Sequence, residues 1–223
     1  MSDGQVTERH QKLQRHLQAL VPGACLQAQA PPGIPELPLW LLGDIRSGTR
    51  LDSDCAAALM ETPPYWSFCW ASGQVLARWL LDRPALLQGK TVLDVGPGSG
   101  VVALAAAYAG ATRVLACDID PQALAAVQLN AVSLGLAVEL SDDLDACLKV
   151  ADLVTAADIL YDRDNLALLA RFQRAPRVVL ADSRVRNLSA PGYRRGDVMD
   201  AVTWPDLDES REFNRVTLYH YGS

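Results

Sequence analysis

The 223-residue sequence contains no pair of cysteines at C-x-x-C spacing; Cys25, Cys55, Cys69, Cys117 and Cys147 stand far apart. Zinc-ribbon and dithiol redox chemistry have no support, no metal site is expected, and an odd set of scattered cysteines fits free thiols in a reducing compartment. No apolar run approaches the roughly 20 residues that span a bilayer. Met1 to Leu20 is polar and rich in Gln, Arg and His, without the apolar stretch of a secretion signal, so a cytoplasmic location is expected. Positive charge is scarce as well. A formal net charge of -6 argues against a surface that grips phosphate backbones, so neither a nucleic-acid nor a membrane partner is expected. The basic stretch Arg184, Arg186, Arg194 and Arg195 reads as a solvated loop. There is no internal repeat.

What is present suffices for a large core: 50% of the residues are hydrophobic and 21% charged, the balance of a globular chain. Leu13, Leu17 and Leu20 recur at helical spacing and predict an amphipathic helix over Thr7 to Leu20, ended by Pro22-Gly23. The prolines between Ala30 and Pro38 forbid helix or central strand and leave an arm. The chain thus divides into an N-terminal helix and arm, residues 1–64, packed on a main domain, residues 65–223. Tyr65 to Leu81 reads as an aromatic segment leading into a helix, with Val75, Leu76, Trp79 and Leu80 inward and Gln74 and Arg78 on the opposite face.

From Lys90 onward strands and helices alternate. Strands are expected at Thr91–Val95, Arg113–Cys117, Ala137–Leu140, Leu153–Ala157 and Arg177–Leu180. Helices are expected at Val101–Ala109, Pro121–Leu134 and Leu166–Phe172, the second opened by Asp120-Pro121 and closed by Gly135. Such alternation means a doubly wound, mostly parallel α/β sheet. Two last β-leaning runs, Val198–Trp204 and Arg215–Tyr221, have no helix between them and predict an antiparallel hairpin at the sheet edge, making seven strands.

Between the first of these strands and its helix lies Asp94-Val-Gly96-Pro-Gly98-Ser-Gly100. Such glycines permit a tight turn and close backbone approach of a nucleotide. A dinucleotide fingerprint would need its third glycine at the position of Val101, and no G-x-x-x-x-G-K-[ST] phosphate loop occurs. A carboxylate at Asp94 repels pyrophosphate but attracts an ammonium and a sulfonium, which favours S-adenosylmethionine (SAM). Asp118, ending the second strand, can accept both hydrogen bonds of a ribose diol, with Ile119 flat on the adenine. Asp143 can accept from the adenine amino group; Asp142 and Asp145 are equally available for that role.

The D-x-G-x-G-x-G loop, the CDIDP segment and Asn130-Ala131 at the end of the next helix resemble class I, seven-β-strand methyltransferases with a Rossmann-like sheet, over Lys90 to Ala181. The arm PELPLWL, the segment PPYWSFCWASGQVLARWLLD and Asp158-Ile-Leu-Tyr161 are similar to the bacterial relatives of the electron-transfer-flavoprotein β-subunit lysine methyltransferase, within a wider family whose motif after the fourth strand is D-x-x-Y. That likeness thins over the last forty residues. The resemblance implies that Trp70 lines the cofactor pocket, that Asp158 and Tyr161 face an acceptor amine, and that the substrate is a protein lysine. Ala157 stands beside the cofactor where members often carry Gly. Trp66, Phe68 and Trp70 can equally form a packed cap over the sheet, and Asp158 can equally cap the helix beginning near Arg163. Small-molecule N-methylation of a nicotinamide-like amine and a catalytically inactive cofactor-binding partner subunit are the alternatives, because a fold does not fix its substrate. Nucleobase methylation lacks its N-P-P-[FY] or D-P-P-Y signature. Oligomeric state is not legible.

Overall fold

The computed structural model describes residues 3–43, 63–185 and 187–222. The N-terminal part contains helix α1 (Asp3–Leu20) and a hairpin of β1 (Leu26–Gln29) and β2 (Leu39–Leu42). The main part follows as α2 (Ala71–Leu81), β3 (Thr91–Val95), α3 (Val101–Tyr108), β4 (Arg113–Cys117), α4 (Pro121–Leu134), β5 (Glu139–Ser141), α5 (Leu144–Leu148), β6 (Leu153–Ala157), α6 (Leu166–Phe172), β7 (Arg177–Asp182), β8 (Arg194–Asp200) and β9 (Arg215–Tyr221).

Seven strands form one sheet in the order β5-β4-β3-β6-β7-β9-β8. The first five are parallel and β9 pairs antiparallel with both β7 and β8. The expected doubly wound sheet and its antiparallel edge hairpin are therefore present. From β3 the chain winds outward through β4 and β5, and from β6 the other way. The strand order reverses between β3 and β6, where sheets of this kind open a crevice at the carboxyl ends of their strands.

Side-chain alternation explains why both faces are covered. Val92, Val114, Ala116, Leu153 and Val179 pack into one cluster with Val75, Leu76, Leu80 and the Ala-rich α3. Leu93, Leu115, Val154, Val178 and Leu180 face the other way, against Cys147, Leu148, Leu169 and Phe172. A third cluster sets Leu13 and Leu17 of α1 against Ala123, Ala126 and Leu129 of α4, with Trp66.

Several expectations shift. α1 starts at Asp3, four residues before Thr7. The proline-rich run 30–38 is neither helix nor strand, but it is the connection of a hairpin, β1–β2, that patterning did not reveal. β5 sits at Glu139–Ser141, and the segment after Asp200 leaves the sheet, with Trp204 bridging Cys69 instead. Arg194 and Arg195 belong to β8; Arg184 pairs with Glu209 at 2.7 Å and lies over the Phe213 ring, while Arg186 lies outside the described residues. Cys25, Cys69, Cys117 and Cys147 are free thiols, and Cys55 lies outside the described residues. No helix among the described residues is long and apolar enough to cross a membrane.

Gln74 is the clearest correction: instead of facing outward it is 2% exposed. The arm covers that side of α2. Gln74 Oε1 accepts from the Gly33 N–H, and Nε2 donates to the Cys69 and Val202 carbonyls, so one amide joins three segments. Leu17 of α1 is fully buried in the third cluster. Leu17→Ala should lower stability by about 2–4 kcal/mol, read as a lower urea midpoint.

Candidate active site

The chain turns sharply as it leaves β3. The Gly96 N–H donates to the Cys117 carbonyl at 3.0 Å, the Gly100 N–H to the Pro97 carbonyl at 2.8 Å, and the Leu104 N–H to the Gly100 carbonyl at 2.9 Å, starting α3. Gly98 has φ +53 with nothing within 4 Å of an added Cβ, so its backbone is open to a ligand. Gly100, at φ +87, is closed instead: a Cβ there would meet the Val127 backbone at 3.2 Å. One glycine admits an approach from outside and the other lets α4 press against the loop.

Asp94 lies beneath this loop, 1% exposed. Its Oδ2 accepts from the Ala103 N–H at 3.1 Å, capping α3 from below, and its Oδ1 accepts from the Thr155 hydroxyl at 2.9 Å. Burial pushes the carboxyl up to about 7; the Thr155 and Ala103 bonds oppose that rise and the Asp118 charge adds to it. A cation at this position relieves the strain of a buried carboxylate. Asp118, at the end of β4, accepts from the Asp120 N–H at 3.0 Å, and burial first, then the Asp120 charge, raises its pKa. Ile119 beside it is 94% exposed, an apolar side chain with no cover.

Trp70, Gly73, Asp94, Gly96, Gly98, Ser99 and Ala157 line one cleft, with about 320 Å³ of empty space that opens to solvent. The Trp70 indole is fixed by donating to the Tyr65 carbonyl at 2.9 Å, and its ring leans on Tyr65 and Phe68. Of the three aromatics, Trp66 packs as cover, 2% exposed in the third cluster, and Phe68 packs against that cluster from its edge. Asp143 caps α5 by accepting from the Ala146 N–H, and Asp145 pairs with Arg171 and Arg174. The cap occupies one Asp143 oxygen, and Asp142 and Asp143 are both exposed.

Across the crevice, Asp158 follows β6 in a left-handed conformation with φ 50. It caps no helix: the next turn is capped by Asp162, which accepts from the Asp164 N–H. Its Oδ1 accepts from the Ser72 hydroxyl at 2.7 Å, the Ser183 hydroxyl at 2.8 Å and the Ser183 N–H at 3.0 Å. Three donors converge on one oxygen, and among the described residues Oδ2 has the distant Ser72 N–H at 3.4 Å. Tyr161 stands at the mouth, 61% exposed, its ring 5.6 Å from that of Tyr65. Burial, with the nearby Tyr65, Asp118 and Asp162, raises the Tyr161 phenol, so it stays protonated near neutrality.

Sequence reading did not single out Thr155, Ser72 or Ser183, which hold the two carboxylates, nor Asp182. Asp182 is 2% exposed, accepts from the Arg184 and Val185 N–H groups and is pushed up to about 6, mainly by burial. Polar residues at the carboxyl ends of β6 and β7 and at the start of α2 are the signal that was available. Among the described residues no group of three or more His, Cys, Asp or Glu is placed to hold a metal ion.

A family model described as ribosomal protein L11 methyltransferase (PrmA) matches residues 76–165. The electron transfer flavoprotein beta subunit lysine methyltransferase of Mus musculus is 44% identical over 104 residues, 45% of this chain and 41% of that protein. Its Homo sapiens counterpart is 43% identical over 107 residues, 47% of this chain and again 41% of the relative. The chain thus spans about two-fifths of the length of these curated relatives. Among solved structures, magnesium protoporphyrin IX methyltransferase (ChlM) from Synechocystis with bound SAH superposes with TM-score 0.51 at 16% identity, covering 81% of this chain and 90% of that one. A Streptococcus mutans protein described as a SAM-dependent methyltransferase reaches TM-score 0.55 at 12% identity over 89% of this chain and 55% of its own.

The chain has the class I methyltransferase fold. In this fold the crevice at the β3–β6 switch lies between Asp94 with the glycine loop, after β3, and Asp158, after β6.

The Asp94 carboxyl gives the domain a signed pH dependence. Its folded pKa of about 7 lies above the ordinary value of 3.8, so the folded state binds the extra proton. The penalty of burying the charge is complete above that folded pKa and is relieved progressively as pH falls from it toward the ordinary value. Urea midpoints of the unliganded protein should rise between about pH 8 and about pH 5.5 more steeply for wild type than for Asp94→Asn. Parallel profiles would contradict the assignment.

Proposed function

We propose that this chain is a SAM-dependent N-methyltransferase that modifies lysine side chains of a protein, with the electron transfer flavoprotein β-subunit as first candidate substrate. The observation that carries the reading is the pairing, across one crevice, of a buried carboxylate that calls for a cation with a second carboxylate whose Oδ2 is left for an amine. The names of the partial-length relatives supply the substrate class.

The residues fit SAM. Asp94 answers the charged methionyl end, the bare Gly98 backbone leaves room for close approach, Asp118 is positioned for a ribose diol, and Ile119 offers an uncovered apolar face for a base. Trp70 and Ala157 form the wall toward the acceptor. When bound, SAM supplies a methyl group on a sulfonium, which a neutral nitrogen displaces in line.

A lysine meets this site as an ammonium, and freeing its lone pair near pH 7 costs about 4.6 kcal/mol from a pKa near 10.4. Asp158 captures and orients the incoming ammonium; it does not lower that cost, because a carboxylate favours the charged form. Burial among Trp70, Tyr65 and Tyr161 works the other way, and the proton leaves to water through the open mouth. Tyr161, protonated and exposed, fixes the nitrogen by its hydroxyl or its ring. Exposure of Tyr161 and of the adjacent Asp162 and Asp164 leaves the acceptor side open to a macromolecule, which favours a protein over a small enclosed amine.

Radiolabelled methyl donor mixed with lysate fractions should place label in protein; label confined to RNA or small molecules would defeat the proposal. In Asp158→Asn the Oδ1 contacts persist, so the fold should hold while turnover falls about a hundredfold. Calorimetric affinity for S-adenosylhomocysteine should stay within about threefold, since the change touches the acceptor and not the donor.

A further inference from the structure

α4 presents three residues at helical spacing to the rest of the site: Val127, Asn130 and Ser133 lie three apart and share a face. Val127 packs against Gly100 of the glycine loop. One turn on, Asn130 is fully buried, and its amide is used at both ends. Nδ2 donates to the Ser99 carbonyl, inside the loop, at 2.9 Å, and Oδ1 accepts from the Trp40 backbone N–H, on β2, at 2.7 Å. A further turn on, the Ser133 hydroxyl accepts from the Trp40 indole at 2.9 Å. The fixed donor on β2 and the fixed acceptor on the loop leave the amide one orientation.

We propose that Asn130 is a positioning residue that couples docking of the N-terminal hairpin to occupancy of the cleft. The inference rests on reading the glycine-loop cleft as the SAM site. Ser99 lines that cleft and gives its carbonyl to Asn130. A ligand that orders the loop fixes the Ser99 carbonyl, which fixes the amide, which in turn holds the Trp40 N–H. By linkage, a hairpin held on Asn130 tightens the site by the same factor. No other uncharged side chain of this size offers a donor and an acceptor at that reach: Ala offers neither, and Asp meets the Ser99 carbonyl with a second acceptor.

The test is hydrogen exchange on the full chain with S-adenosylhomocysteine as probe, its binding followed by calorimetry. In wild type the probe should slow exchange of the Leu39–Leu42 amides, Trp40 above all. Asn130→Ala should bind the probe about tenfold more weakly and lose the ligand-dependent protection at β2. Arg78→Ala, which cuts the arm's 2.7 Å ion pair to Glu36 away from the loop, should keep both affinity and protection, separating coupling from a general loosening of the arm. If Asn130→Ala does not fold, the wild-type experiment decides alone. Binding without protection at β2, or an Asn130→Ala protein with wild-type affinity and protection, would overturn the coupling. No heat from wild type would remove the SAM reading, and this inference with it.

Discussion

Asp94 is a carboxylate kept out of water beneath the glycine turn, 1% exposed. It caps α3 through the Ala103 N–H and is braced by Thr155 on the neighbouring strand, yet burial still pushes it up to about 7. The fold carries this unfavourable group at the centre of its sheet, where an apolar residue would pack more cheaply. Its position is intelligible as a site energetically incomplete without a cation. The loop, the crevice at the strand-order reversal and the cap of α3 are arranged around that one group.

On the opposite bank the logic is reversed. Asp158 is supplied with donors from two distant segments, α2 and the end of β7, so one oxygen takes three hydrogen bonds while the other meets the Ser72 N–H at 3.4 Å. The left-handed backbone at Asp158 is part of that arrangement, since an aspartate adopts it more readily than most residues. On the proposed reading, one held oxygen is what orients an amine at the other. Tyr65 joins Trp70 and Tyr161 into one aromatic group, its ring 5.8 Å from the first and 5.6 Å from the second.

Much of this was legible in the residues. The bounds of α4 are marked in sequence by Asp120-Pro121 and Gly135, and the structure uses the Asp120 side chain as the cap and Gly135 at φ 67. The glycine loop was legible because positive φ at alternate positions, Gly96, Gly98 and Gly100, favours glycine. Less was visible where partners come from far along the chain. Thr155 meets Asp94 across 61 residues, and Ser72 meets Asp158 across 86, separations no local spacing encodes. Gln74 misled because periodicity reports which face of a helix avoids the sheet and says nothing of a second cover on the other side. The short β5 slid by two residues because its pattern is weak: it is three residues long and none is fully buried.

Strand order has a further effect on how the molecule is made. β9 lies between β7 and β8, so the exposed edge of β7 remains without its neighbour until the chain has been synthesised through residue 221. During that interval the five parallel strands, with the crevice between β3 and β6, are already made. The 201–214 connection, whose Trp204 clasps the Trp70-bearing segment through Cys69, has still to arrive. Until β9 is made, a nascent chain therefore displays the open edge of β7, which invites pairing with other strands.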